Sequence, residues 1–261
     1  MTTTLDQKRN RLFTILCGIF ITNALVAEMI GVKIFSAEAT IGLAPVHINI
    51  FGNIMDFNLT AGAVIWPVVF ITSDLINEYY GRPGVKRISY LTAILIAYAF
   101  LVIFVSIGLA PAQFWLDAYG KDNAGNDFNM DYAFNTIFGQ GQRIIIGSLT
   151  AFLIGQLVDA FFFHKLKQMT GSKMLWVRST GSTLISQFID SFVVLYIAFA
   201  GIFKNDVLIA IAVTNYIYKF AVAVLLTPLI YLGHYVIDRY LGKEYAEKIA
   251  TESNKDNEKF F

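Results

Sequence analysis

The chain has 261 residues, 56% hydrophobic and 15% charged, and a mean hydropathy of +0.58, whereas soluble domains carry about 25% charged side chains; the expected solvent is therefore lipid. A net charge of +1 without any basic stripe argues against a nucleic-acid partner. A single cysteine, Cys17, excludes an internal disulfide or cysteine cluster, and His47, His164 and His234 lack metal-ligand spacing, so neither metal nor cofactor is expected.

Lys8, Arg9 and Arg11 precede an apolar run reaching about Phe35. That run is too long for a signal-peptide core, so it is expected to be retained as the first span. Crossing the hydrocarbon takes about 20 apolar residues, and six segments qualify: 12–35, 59–80, 86–109, 143–164, 175–200 and 206–235. They lack the alternation of a barrel strand, so the fold class expected is all-α, a polytopic six-helix bundle.

Between the first two spans, residues 46–59 alternate apolar and polar around Gly52-Asn53, which predicts a short external β-hairpin. The stretch 110–142 combines Asp117, Asp122, Asp127 and Asp131 with Phe114, Trp115, Tyr119 and Phe128. Such aromatics belong to an interfacial belt, a lid being the alternative. After about Leu241 the chain is charged and expected to end as a frayed tail. Basic residues gather at the N-terminus, at Arg82, Lys86 and Arg87, at Lys165, Lys167 and Lys173, and in the tail through Lys255 and Lys259. Acidic loops alternate with them, which places both termini in the cytoplasm. The expected organisation is a cytoplasmic segment 1–11, a membrane domain 12–240 and a cytoplasmic tail 241–261.

Ionisable residues inside spans are the informative ones, since each costs on the order of 3 kcal/mol at the bilayer centre. Asp74 and Glu78 lie four apart on one helical face, with Asn77 between them. Asp74 needs a partner, whereas Glu78 is near enough to the boundary to be interfacial. Two Gln-x-x-Asp elements follow, Gln156 with Asp159 and Gln187 with Asp190, a faint sign of an inverted repeat. Lys33, Arg143, Arg178 and Lys219 are the available cations; Arg143 and Arg178 could simply snorkel. Lys219 falls at the depth of Asp190, so an ion pair lining a substrate path is expected there. Glu28 and Asn23 are also buried by count. Carboxylates and carboxamides with few histidines suit a flat solute bearing several N–H donors; a guanine-like base fits, as would many polar solutes.

The run Phe-Ile-Thr-Ser-Asp-Leu-Ile-Asn-Glu-Tyr-Tyr-Gly-Arg (70–82) resembles the hallmark of the queuosine precursor transporter family. Further matching segments are Tyr132 to Arg143, Gly155 to Asp159, Leu175 to Ser179, Ser186 to Ser191 and Thr227-Pro228-Leu229. The resemblance runs from about 15 to 235 and implies a multi-pass importer of 7-deazaguanine bases in the bacterial inner membrane, serving queuosine synthesis in tRNA. It also implies a functional set of Asp74, Asn77, Glu78, Gln156, Asp159, Arg178, Gln187 and Asp190, to which the charge argument adds Lys219.

No phosphate-binding loop is present, so the chain itself cannot couple ATP hydrolysis. A solitary facilitator, proton-coupled or not, is the leading expectation; a substrate-binding subunit served by a separate ATPase stays open, as does a homo-oligomer. An intramembrane enzyme would also explain buried carboxylates, but no nucleophile stands beside a plausible base, and the expected partners are the small-molecule base and membrane lipid.

Overall fold

The computed structural model describes residues 4–139, 142–170 and 174–255. Lys173, Lys259 and the side chains of Arg143 and Lys255, all used in the charge argument, lie outside the described residues. Among the described residues, five helices are long and apolar enough to cross a membrane: α1 (Thr4–Ile30), α3 (Trp66–Ile107), α6 (Gln142–Thr170), α7 (Leu175–Phe199) and α8 (Asn205–Leu241). The chain is an all-α, multi-pass bundle.

α1 shows why lipid is the solvent. Its buried residues, Leu12, Leu16, Phe20, Ala24 and Ala27, recur every three or four positions and form one face. Ile15, Ile19 and Val26 on the other faces are exposed yet apolar, as are Ile94, Leu101 and Phe104 on α3 and Leu225 and Leu232 on α8. Water would not tolerate so large a belt. Between α6 and α7 the backbones approach closely, because a Cβ on Gly147 would stand 3.2 Å from the Val194 carbonyl oxygen.

α3 is 42 residues long but is not one rod. Gly81 takes φ 66° and ψ −173°, a conformation open only to glycine. A Cβ on Gly84 would lie 3.4 Å from Cγ2 of Ile76; eight residues of straight helix would separate them by about 12 Å. The chain therefore folds back at Gly81, and its two limbs carry the expected span 86–109 and residues 66–80 of the expected span 59–80; the start of that span, up to 65, is instead the end of a short strand and a 3-10 turn (Ala61–Val64). Pro83 is harmless there, in the first turn of the second limb, where an N–H would lack a partner anyway.

One end of the bundle carries short strands: β1 (Ile34–Ser36) pairs with β4 (Asn58–Thr60), and β2 (Ile48–Ile50) with β3 (Asn53–Met55), both antiparallel. The hairpin turn is Phe51-Gly52, one residue earlier than Gly52-Asn53. Both turn residues have positive φ, 51° and 82°, as a primed turn requires, and the Asn49 side chain accepts the Gly52 N–H at 2.9 Å. Short α2 (Ala37–Thr40) lies between β1 and β2. Its Glu38 is buried and accepts from the Phe57 N–H at 2.8 Å and the Ser36 hydroxyl at 3.1 Å. The Phe57 bond above all holds this carboxyl below the usual carboxylate range. The acidic stretch after α3 forms α4 (Gln113–Ala118) and α5 (Met130–Phe138), the latter capped by Asn129.

The opposite end carries a correction. Residues after Leu241 were expected to fray, yet α9 (Lys243–Lys255) is helical and buries Ala246 and Ile249. Tyr245 and Ala250 complete an apolar stripe at helical spacing that packs on the common core. The charges on its other face concealed that stripe.

Candidate functional site

α7 organises the polar interior. Ser179, Ser182, Thr183, Ser186 and Gln187 are buried and recur at three- and four-residue spacing, so a polar stripe runs down one face. α3 and α6 present Asp74, Gln156 and Asp159 against it. The Ser179 hydroxyl donates to Oδ2 of Asp74, and Ser73 donates to Oε1 of Gln156 at 2.9 Å. Oδ1 of Asp159 has the hydroxyls of Ser182, Ser186 and Thr183 at 3.0, 3.3 and 3.4 Å.

A cavity of about 680 Å³ opens between α1, α3, α6, α7 and α8. Its polar lining includes Glu28, Asp74, Gln156, Gln187, Asp190 and Lys219; Trp66, Phe70, Phe152 and Tyr218 supply aromatic surface. Such volume and such a mixture are ordinary for a small-molecule site. Lys219 and Asp190 form the expected pair at 2.5 Å, with side chains 23% and 20% exposed, so both still reach the cavity. Glu28 accepts from Ser148 at 2.6 Å. Two acceptors in this wall have no hydrogen-bond partner among the described residues although their side chains are buried: Oδ1 of Asp74 and Oε1 of Gln187. A buried acceptor left in that state costs about 1–3 kcal/mol. A ligand with N–H donors would remove the cost.

Toward the α9 end the bundle is closed by a different cluster. Glu78 is not interfacial: it is buried, with Nη2 of Arg178 at 3.0 Å and Nζ of Lys167 at 3.3 Å. Lys167 also donates to the backbone carbonyls of Glu78 and Ala250, both at 3.0 Å, and Ser253 donates to the Glu78 carbonyl at 2.8 Å. Tyr79 donates to Asp238 at 2.7 Å and meets Nδ1 of His234 at 2.9 Å. A second cavity, of about 1040 Å³, lies beyond this cluster and has α9 as one wall.

The nine residues expected from the sequence thus divide. Asp74, Gln156, Gln187, Asp190 and Lys219 line one cavity; Glu78 and Arg178 belong to the closing cluster; Asp159 and Asn77 are buried away from both. Lys167 was absorbed into the basic-loop count, and nothing in the sequence sets it apart. The α7 hydroxyls had a usable signal, their spacing.

The family model described as "Putative vitamin uptake transporter" matches residues 60–233. A "Probable queuosine precursor transporter" of Bacillus subtilis (strain 168) is 30% identical over 202 residues, 76% of this chain and 82% of the relative. A "Queuosine precursor transporter" of Escherichia coli (strain K12) is 29% identical over 200 residues, 75% and 80% respectively. No solved structure matches.

Proposed function

The chain belongs to the queuosine precursor transporter family, and on that premise we propose that it imports 7-deazaguanine bases, 7-cyano-7-deazaguanine or 7-aminomethyl-7-deazaguanine, across the bacterial inner membrane. The observation that carries this reading is the pair of unfilled buried acceptors, Asp74 Oδ1 and Gln187 Oε1, beside aromatic rings in one cavity. A guanine-like edge presents a ring N–H and an exocyclic amine together. Asp74 would accept from both, as a carboxylate accepts from any paired donor. Trp66, Phe70 or Phe152 would stack on the ring, and Lys219 or Gln156 would donate to its carbonyl oxygen. The cavity faces outside in this arrangement, and the Glu78–Arg178–Lys167 cluster closes the cytoplasmic side. The base crosses chemically unaltered.

The test uses cells that cannot make the precursor, supplied with nanomolar 7-cyano- or 7-aminomethyl-7-deazaguanine, with queuosine in tRNA as the readout. Modification depends on this chain and falls about 10–100-fold with Asp74→Asn at equal expression, the worth of one hydrogen bond to a charged group. Wild-type modification in that variant would overturn the reading.

A further inference from the structure

α9 is held against the bundle by contacts that are few and small. It buries Ala246 and Ile249, with Tyr245 and Ala250 beside them, and leaves Glu244, Glu247, Lys248 and Glu252 exposed. The hydrophobic cost of lifting a helix scales with the apolar surface it uncovers, and here that surface is slight. The joint to α8 is one residue. Gly242 has φ 88° and ψ 128°, and a Cβ there would meet nothing within 4 Å; no packing fixes its dihedrals, so the joint can turn. The polar ties of α9 fall on the cluster that closes the bundle. The first limb of α3 ends at Gly81, so the Glu78 carbonyl is among the last four of a helix, which lack a helical N–H. Ser253 of α9 and Lys167 of α6 donate to it at 2.8 and 3.0 Å, and Lys167 also donates to the Ala250 carbonyl of α9 at 3.0 Å. One ammonium thus holds the Glu78 carboxylate, the Glu78 backbone and the backbone of α9. Ala246, Glu247, Ala250 and Thr251 of α9 line the cavity of about 1040 Å³ beyond the cluster. Asp74 lines the other cavity and precedes Glu78 by one turn on the same helical face, about 5–6 Å between Cβ atoms.

We propose that α9 is the inner gate: it swings about Gly242, breaks the Lys167–Ala250 and Ser253–Glu78 bonds, and opens a way past the cluster for release of the cargo. Cargo that leaves Asp74 inward meets Glu78 next, where the latch is fastened. As α9 departs, Lys167 loses one of its three acceptors and the Glu78 carbonyl one of its two donors, so the cluster loosens with the helix. The exposed acidic and basic residues of α9 keep its outer face in water in either position. The gating role rests on the chain being an importer; the movement of α9 does not.

The experiment separates the two, in the full-length chain carrying Cys17→Ser. The Tyr245 hydroxyl donates to Asp6 of α1 at 2.8 Å, so Asp6→Cys with Tyr245→Cys can be bridged by a flexible, reducible dithiol reagent that pins α9. In proteoliposomes the bridge cuts 7-deazaguanine uptake by about 10-fold or more, as a locked gate does; the base still binds, and reduction restores uptake. In nanodiscs, Ala246→Cys, buried when α9 is docked, reacts with a membrane-impermeant maleimide each time the helix lifts. Adding Ile249→Ala speeds that labelling about 30-fold by weakening the docked state. Full uptake by the bridged protein overturns the gate, as does the absence of labelling in both variants over many transport cycles. Labelling that Ile249→Ala accelerates, in a protein that moves no deazaguanine, keeps the moving helix and defeats the cargo assignment instead.

Discussion

Glu78 and Asp190 are both carboxylates paired with cations inside the same bundle, but their surroundings differ. Glu78 is shared by Arg178 and Lys167, and Lys167 and Ser253 bind its own backbone carbonyl. Asp190 has one lysine and open cavity beside it. A buried network of two cations on one carboxylate, with Lys167 and Ser253 on its backbone carbonyl, ties α3, α6, α7 and α9 together, whereas a pair bordering a cavity can exchange its partner for a ligand. Residue type alone does not separate closing from binding; the number of charged partners and the open cavity beside them do.

The largest expected effect tests the closed side. Glu78→Ala leaves two buried cations unbalanced and should cost on the order of 3–5 kcal/mol, read as denaturation at much milder conditions. Asp190→Asn should cost only about 1 kcal/mol because its lysine keeps a solvated route, yet it should abolish uptake. Equal destabilisation by the two changes would break the comparison. The smallest effect concerns Glu38, a carboxylate whose partners are neutral. Its pKa is lowered on folding, so its stabilisation is full above the unfolded value and is lost as pH falls through the lower folded one. Protection of the Phe57 amide, corrected for the intrinsic pH dependence of exchange, should fall as pH drops below the usual glutamate value of 4.5, and Glu38→Gln should remove that dependence.

How much was legible follows from the same contrast. Hydropathy located the apolar segments because lipid imposes a length on them. Depth counting along two helices placed Lys219 beside Asp190, since both lie on regular backbone. Counting put Glu78 at a boundary but could not foresee its burial, because that end is covered by α9, and α9 is bound by a stripe of four modest residues amid lysines and glutamates. The reversal at Gly81 was expected as a short loop; a single residue in a glycine-only conformation performs it, and no composition window can register one dihedral. Lys167 sat among basic residues assigned to a loop, where only the fold could single it out.

That reversal bears on how the protein reaches the membrane. A conventional loop would let two spans leave the translocation machinery one after the other, the first settling before the second is made. With a single residue joining them, the limbs of α3 have no slack to part. They are expected to enter the bilayer together as one hairpin, and lengthening the joint by a few flexible residues should let them insert separately, read as glycosylation or protease access at the joint.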